Sequence, residues 1–459
     1  MLTVLVYFVN HSSAIDHLGG SERSLLKLID DWIAAEPTLE PYFITRAPAG
    51  LLVEELRARS WAYSLVPYSG WAVPPHEADC ESVAYRASKD YLAVKTIRRL
   101  MESRRPDLVV TNTLVAPWGA FVAQSLGIPH AWIVREFGDL DHGLRFVSGR
   151  EQTLTDIGRL SELVVVNSHA VKKHLQPFVD AKKLVVVYPT VDSAQVQVQA
   201  AEPLAARAFP ERDAGLKITV VGRLAPSKGQ WRVVEALGEL HRRGFAASVC
   251  LVGASMEPDH PRKLRSRSHQ LGVADYLSIV GEQSNPWPFC AAADVCVTPS
   301  TQEAFGRTTL EYLWLGKPVI ATNSGGSAEL VKDTHNGFLF DADAPGQLAD
   351  RLQRYIEAPD LLRLHALAAR QHAESLASPE WSNLAAIERL SAVASAVPRS
   401  SGDVADEWFA KVGYRPGRSR LGVIVRYRYR RLVTRTRNFL TDPVGSVRRK
   451  LRRAEHPGG

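Results

Sequence analysis

The sequence predicts an α/β protein of two Rossmann-like domains, with parallel sheets facing each other across a cleft and a basic C-terminal extension behind them. Three observations carry this. At 459 residues the chain is too long for one ordinary core. Short continuous apolar runs, suited to parallel strands buried on both faces, alternate with helical segments. The alternation breaks after Pro189 and restarts near residue 216, which suits two similar units better than one extended sheet.

The elements follow in order. An apolar start with no basic lead and no small-residue cleavage site reads as a first strand, 2–9, and not as a signal peptide. Gly19-Gly20 turns the chain into a helix over 21–35. Segments 107–111, 131–134 and 163–166 are further strands. Residues 1–190 thus form the first domain, and 191–215, rich in Ala and Gln, a linker. The second domain, 216–375, carries strands at 217–221, 247–252, 277–280, 295–298, 319–321 and 337–340, with helices at 231–243 and 309–315 among those between. A C-terminal helix over 376–397 is expected to pack back on the first domain, and 398–459 to form a basic tail.

Composition narrows the class. Hydrophobic residues make up 45% and charged residues 23%, ordinary for a globular protein. Cys80, Cys250, Cys290 and Cys296 form no C-x-x-C pair, which argues against a zinc site or a disulfide framework and fits a reducing, cytoplasmic setting. No apolar stretch reaches about 18 residues, so no membrane-spanning helix is expected. The net charge of +7 hides an asymmetry: residues 411–453 hold 15 Lys/Arg and one acid, Asp442, against 41 basic and 48 acidic residues elsewhere.

Ligands of open parallel sheets bind beyond the carboxyl ends of the strands, and four segments fall there. His17-Leu18-Gly19-Gly20-Ser21-Glu22 would bring backbone and a helix N-terminus close to an anion, although a plain βα turn accounts for it equally well. In 221–229 (VGRLAPSKG), Arg223 offers a fork of donors to phosphate oxygens and Lys228 a point charge; five positions apart, both reach one diphosphate. In 300–311 (STQEAFGRTTLE), Glu303 and Glu311 can accept from sugar or ribose hydroxyls, and Gly306 opens a helix whose N–H groups suit phosphate. Glu311 also reads as a half-buried acid favoured by the helix dipole. In 323–329 (NSGGSAE), Glu329 reads as a capping-box acid with Gly326 or Ser327 near the cap. The D-x-D patterns Asp139-Leu140-Asp141 and Asp341-Ala342-Asp343 read as loop acids, and no metal site is expected. A nicotinamide dehydrogenase is disfavoured: the first βα turn lacks G-x-G-x-x-G.

Together GGSE, NSHAVKKHL (167–175), YPTVD (188–192), VGRLAPSKG and the stretch 293–331, with its two glutamates separated by seven residues and followed by Gly-Lys-Pro-Val, resemble the retaining glycosyltransferases of the GT-B fold, family 4 (glycosyl transferases group 1). The resemblance covers about residues 1–395. It implies a nucleoside-diphosphate-sugar donor, UDP- or GDP-linked, transfer with retention to a glycan or glycolipid hydroxyl, and no metal. Arg223 and Lys228 would bind the diphosphate, Glu303 the transferred sugar and Glu311 the ribose. The backbone of Phe305, Gly306 and Arg307 would lie along sugar and phosphates, and Gly19 and Gly20 would shape the opposite wall. One departure is clear. Many relatives place a histidine after the strand at 131–134, where this chain has Arg135-Glu136-Phe137. Arg135 or Glu136 takes over that role, or neither does; nearby His142 is a further candidate.

The tail segment 421–440 (LGVIVRYRYRRLVTRTRNFL) groups Leu421, Val425, Tyr429, Leu432, Phe439 and Leu440 on one helical face among arginines, the composition of an interfacial helix on anionic lipid. A strand or a solvated tail are the alternatives. Lipid contact would make the protein peripheral at the inner membrane face. A basic, aromatic tail also suits nucleic acid, but the body is net acidic with no recognisable nucleic-acid module, so none is expected as partner. A non-catalytic scaffold that binds nucleotide sugar is the competing reading of the whole chain.

Overall fold

The computed structural model describes residues 3–15, 18–210, 215–255, 257, 259–344, 346–376, 382–396, 404–415, 425, 427 and 429. Among them are two open parallel sheets. The seven-stranded sheet runs Ala62–Val66, Leu39–Arg46, Val4–Asn10, Leu108–Asn112, His130–Val134, Leu163–Val166, Leu184–Val186. The six-stranded sheet runs Leu277–Gly281, Ala247–Val252, Leu216–Val221, Val295–Thr298, Val319–Thr322, Gly337–Phe340. In both, the chain starts in the middle, winds outward one way, then returns past the first strand to build the other half. The strand order therefore reverses beside Val4–Asn10 and beside Leu216–Val221, where loops part and leave a crevice.

Burial explains why these runs are strands. Val295–Thr298 and Val319–Thr322 are buried throughout, covered on both faces by helices. Leu39–Arg46 was not foreseen: Glu40 and Pro41 interrupt its apolar run, yet it pairs in parallel with Val4–Asn10 along its length. Pro41 is tolerated because pairing with Ala62–Val66 begins only at Tyr42, so the strand is unpaired on its outer side at the proline. An antiparallel pair, Ala72–Val73 with Arg145–Phe146, was also not foreseen.

Two segments differ from the sequence reading. The linker contains a helix, Ser193–Ala200, capped by Asp192 and docked on the second domain through buried Val196. Residues 404–415, expected at the start of the tail, belong to the first domain's core. In the helix Val404–Lys411, Val404, Ala405, Trp408 and Phe409 share one face, and Phe409 stacks on Trp118 at 5.5 Å. Ahead of it, the helix Leu384–Ala394 buries Ala386, Ile387 and Leu390 against the first domain. Asn383 Nδ2 donates to Asp31 Oδ2 at 2.8 Å and Ser391 Oγ to Glu36 Oε1 at 2.6 Å. The chain thus crosses back from the second domain to the first. Most of the 411–453 basic segment, with the 421–440 helix reading, lies outside the described residues. Of that segment 411–415, Val425, Tyr427 and Tyr429 are described, the last three as helical, and Tyr427 stacks on Tyr85 at 4.1 Å. No described helix is long and apolar enough to cross a membrane.

Candidate active site

The cleft is built from loops at the carboxyl edges of both sheets. In the second domain, the loop after Leu216–Val221 tightens into the turn Pro226–Lys228 and leaves through Gly229 at φ +70°. Ser227 O accepts from Thr301 N at 2.9 Å, which binds this loop to the one after Val295–Thr298. The turn aims Lys228 at Glu303: Nζ donates to Oε1 at 2.6 Å, and Ser300 Oγ donates to the same oxygen at 2.6 Å. The two side chains are 20% and 17% exposed, so this is a largely buried ion pair that water still reaches. Burial pushes the Glu303 carboxyl up, but the Lys228 ammonium and the two hydrogen bonds outweigh it, and the group is held below the ordinary carboxylate range.

Gly306, at φ +88°, lets the chain turn into the helix Arg307–Trp314. A Cβ there would fall 2.2 Å from Ser327 Oγ, so the position has room for glycine alone. No side chain caps this helix, and its first N–H groups open toward the cleft. Glu311, one turn in, is 8% exposed. Burial raises its pKa, offset in part by Arg307, whose Nε lies 3.2 Å from Oε1. A second uncapped helix, Gly20–Ala35, begins on the opposite wall. A Cβ added to Gly20 would stand 3.5 Å from Arg307 Cδ, so these two helix starts and Arg307 converge on one place.

The first domain adds a cation, Arg135, and an imidazole, His142. Arg135 sits at the end of His130–Val134 and donates to Asn112 Oδ1, which in turn is tied to Asn10 and Ser21. Burial lowers its pKa to about 10, with Glu136 and Glu22 opposing, so it remains a cation at neutral pH. His142 ends the short helix Asp139–His142, which Asp141 anchors by accepting from Phe137 N at 3.0 Å and Gly138 N at 2.8 Å. Its Nδ1 lies 3.3 Å from the Arg223 guanidinium of the other domain. The structure therefore brings together Gly19, Gly20, Arg135, His142, Arg223, Lys228, Glu303 and the 305–311 segment.

Two readings need correction. Glu136 does not face the cleft as a free carboxylate. Its Oε1 accepts from Thr113 Oγ1 and Leu114 N, both at 2.5 Å, and its Oε2 from Arg135 N at 3.2 Å. It holds the turn after Leu108–Asn112, where Thr113 is forced to φ +124°. Glu329 is not a capping-box acid. Its own helix, Ser327–Leu330, starts at Gly326 without a side-chain cap. The carboxylate instead takes His169 N and Ala170 N across the cleft. Sequence reasoning also passed over Ser300 and the Asn10–Asn112 pair; Ser300, three residues before Glu303 at a strand end, was the legible one.

Comparison with known proteins follows the same division of the chain. Residues 18–195 match the family model described as Glycosyltransferase Family 4, and residues 205–372 that described as Glycosyl transferases group 1. A D-inositol 3-phosphate glycosyltransferase of Segniliparus rotundus is 29% identical over 249 residues, 51% of this chain and 53% of that protein. A GDP-mannose-dependent alpha-(1-6)-phosphatidylinositol monomannoside mannosyltransferase of Mycobacterium tuberculosis is 31% identical over 246 residues, 51% of this chain and 62% of that protein. The chain spans about half the length of the curated relatives it matches. Among solved structures, Anabaena HepE in complex with UDP and glucose superposes with a TM-score of 0.63 at 20% identity, over 85% of this chain and 98% of that one. A glycosyltransferase of Rickettsia africae gives 0.63 at 19% identity, over 86% and 99%.

Proposed function

Because the chain belongs to glycosyltransferase family 4 (glycosyl transferases group 1) and has the GT-B fold, we propose that it transfers a sugar from a nucleoside-diphosphate sugar to a hydroxyl acceptor. The observation that carries this is the convergence of Arg223, the Lys228–Glu303 pair and two uncapped helix starts on one cleft.

In this reading Glu311 accepts from the ribose hydroxyls. The diphosphate lies between the N–H groups at Arg307–Thr309 and the cations Arg223 and Lys228. These donors are already in place when the glycosidic bond breaks and charge gathers on the leaving phosphate, so little reorganisation is needed. Glu303 faces the transferred sugar's hydroxyls as an ionised acceptor. The acceptor hydroxyl attacks from the face the leaving group departs from, giving retention, and its proton passes to the departing phosphate oxygen. The scheme calls on protein cations and no metal. Arg135 and His142 form the first-domain wall. Glu136 keeps Arg135 in place and takes no part in the chemistry.

The acceptor is proposed to be a glycan or glycolipid. The similarity to proteins named for inositol phosphate and phosphatidylinositol mannoside supports an acceptor of that general kind. The basic composition of 411–453 supports contact with an anionic membrane surface, peripheral to the inner face.

A thermal-shift panel of UDP, GDP and their sugars, on wild type and Glu311→Ala, tests the donor site. Selective stabilisation by one sugar nucleotide, weakened in the variant, is expected. At 100 times the dissociation constant, bound ligand adds about 2.7 kcal/mol, so the absence of any shift would refute the reading.

A further inference from the structure

Glu329 belongs to the second domain, yet its partners lie in the first. Oε1 accepts from Ala170 N at 2.6 Å; Oε2 accepts from His169 N at 3.0 Å and from the Tyr188 hydroxyl at 2.7 Å. Those two N–H groups open the helix His169–Leu175, where a negative charge is favoured and charge-assisted bonds are strong. Ser168, the N-cap of that helix, accepts from Val171 N at 3.0 Å and donates its hydroxyl to Ala304 O. Ala304 follows Glu303 directly.

The segment bearing Glu329 is locked to the same loop. Gly326 N donates to Glu303 O at 2.7 Å. A Cβ on Gly326 would lie 2.4 Å from Phe305 Cα, and one on Gly325, at φ +65°, 2.2 Å from Glu303 O. The chain at 325–330 therefore leaves no slack against 303–305. The Tyr188 ring adds a contact with Phe305, its centroid 5.8 Å away.

We propose that Glu329 is a positioning residue: it clamps the first domain's helix His169–Leu175 to the loop 303–306, so that Glu303 reaches its working geometry only when the domains are docked. This rests on the reading of 303–311 as the donor site. The clamp acts on the loop, and not on the nucleotide, whose proposed ribose ligand Glu311 lies within the helix. Breaking it should separate turnover from nucleotide affinity.

The test compares Glu329→Gln, Glu329→Asp and Tyr188→Phe with wild type. The amide nitrogen of Gln cannot accept, so at least one cross-domain bond is lost. For Glu329→Gln we expect kcat to fall at least about tenfold while the dissociation constant of the nucleoside diphosphate stays within about twofold. Small-angle scattering with the nucleoside diphosphate bound should give a larger radius of gyration than wild type. Glu329→Asp, which keeps the carboxylate, should recover part of kcat. Tyr188→Phe, which removes one bond from a folded site, should lose less than Glu329→Gln. Unchanged kcat and unchanged scattering overturn the proposal. So does an equal loss of kcat and nucleotide affinity that Glu329→Asp does not relieve. If wild type turns over no sugar nucleotide, the donor reading fails and scattering alone decides: an expanded Glu329→Gln supports the clamp, an unchanged one overturns it.

Discussion

Replacing Lys228 by alanine removes the cation from a 2.6 Å pair whose members are 20% and 17% exposed. Two magnitudes bear on the outcome. A unit charge about 4 Å from another is worth about 4 kcal/mol at an effective dielectric near 20. Removing one preorganised donor from developing negative charge costs about 2.7–4 kcal/mol, or 10²–10³ in kcat. In the proposed scheme both describe the same ammonium, turned to the leaving phosphate, so they are not added, and a fall in kcat of about 10²–10³ is expected. The stability effect is smaller. Ser300 still donates to Glu303, and the site is partly wet, so about 1–2 kcal/mol is expected, within the range for an unsatisfied buried acceptor. The pH dependence has a definite sign. In the wild type the Glu303 carboxyl is held below its ordinary value, so the pair's stabilisation is full above the ordinary carboxylate range and is lost as pH falls through the depressed folded pKa. Without Lys228 the upward push of burial is opposed mainly by Ser300, and the acid limb of kcat moves to higher pH. Initial rates at saturating donor between pH 4 and 8, with a thermal melt, measure all three. A variant within about threefold of wild type in kcat, with its acid limb unmoved, would refute the electrostatic account.

Two further substitutions separate support from chemistry. Glu136→Gln leaves one of three donors (Thr113 Oγ1, Leu114 N or Arg135 N) without an acceptor. It should lower stability by about 1–3 kcal/mol with kcat/KM little changed below the melt; a large loss of kcat at unchanged melting temperature would return Glu136 to the catalytic groups. His130 is buried between Thr111 Oγ1 and Ser161 Oγ, and burial drives its pKa down to about 3. The fold therefore favours the neutral ring. Its contribution is present above the unfolded pKa of about 6.5 and is lost as pH falls, by about 2 kcal/mol between pH 6.5 and 5. His130→Asn should flatten that part of the urea-midpoint profile, and an unchanged slope would assign the acid sensitivity elsewhere.

Much of this architecture was legible because parallel strands buried on both faces read as plain apolar runs. Leu163–Val166, Ala247–Val252, Val295–Thr298 and Gly337–Phe340 begin and end where those runs do. Leu39–Arg46 was hidden because Glu40 and Pro41 break the run, and its pairing is decided by Val4–Asn10, far away in sequence. The helix Val404–Lys411 was hidden for the opposite reason: its four core residues sit beside a strongly basic stretch that dominates the composition. In the cleft, Lys228 and Glu303 were legible as residue types at strand ends. The bond between them was not, since it depends on two loops 75 positions apart in sequence. Glu136 and Glu329 were misread alike. A carboxylate's neighbours in sequence suggested a cleft role for one and a local cap for the other, whereas the free N–H groups each satisfies are supplied by distant turns.

That division also bears on how the two domains share the work. Lys228, Glu303, Arg307 and Glu311 all lie in the second domain, together with the uncapped helix that suits a phosphate. Gly19, Gly20, Arg135 and His142 lie in the first. The second domain by itself holds the groups assigned to ribose and diphosphate, so nucleotide affinity should depend little on the first. A reacting sugar, in contrast, would sit between Glu303 and the wall formed by Arg135 and His142, and that space exists only while the domains are docked. His142 meets Arg223 at 3.3 Å and Glu329 meets Ala170 at 2.6 Å across the same gap. One contact lies at the donor's phosphate end and the other behind the loop that carries Glu303. In the proposed scheme, docking would fix both ends of the sugar's surroundings at once. A bound nucleoside diphosphate that draws Arg223 toward its oxygens thereby shifts one end of the interface whose other end Glu329 holds.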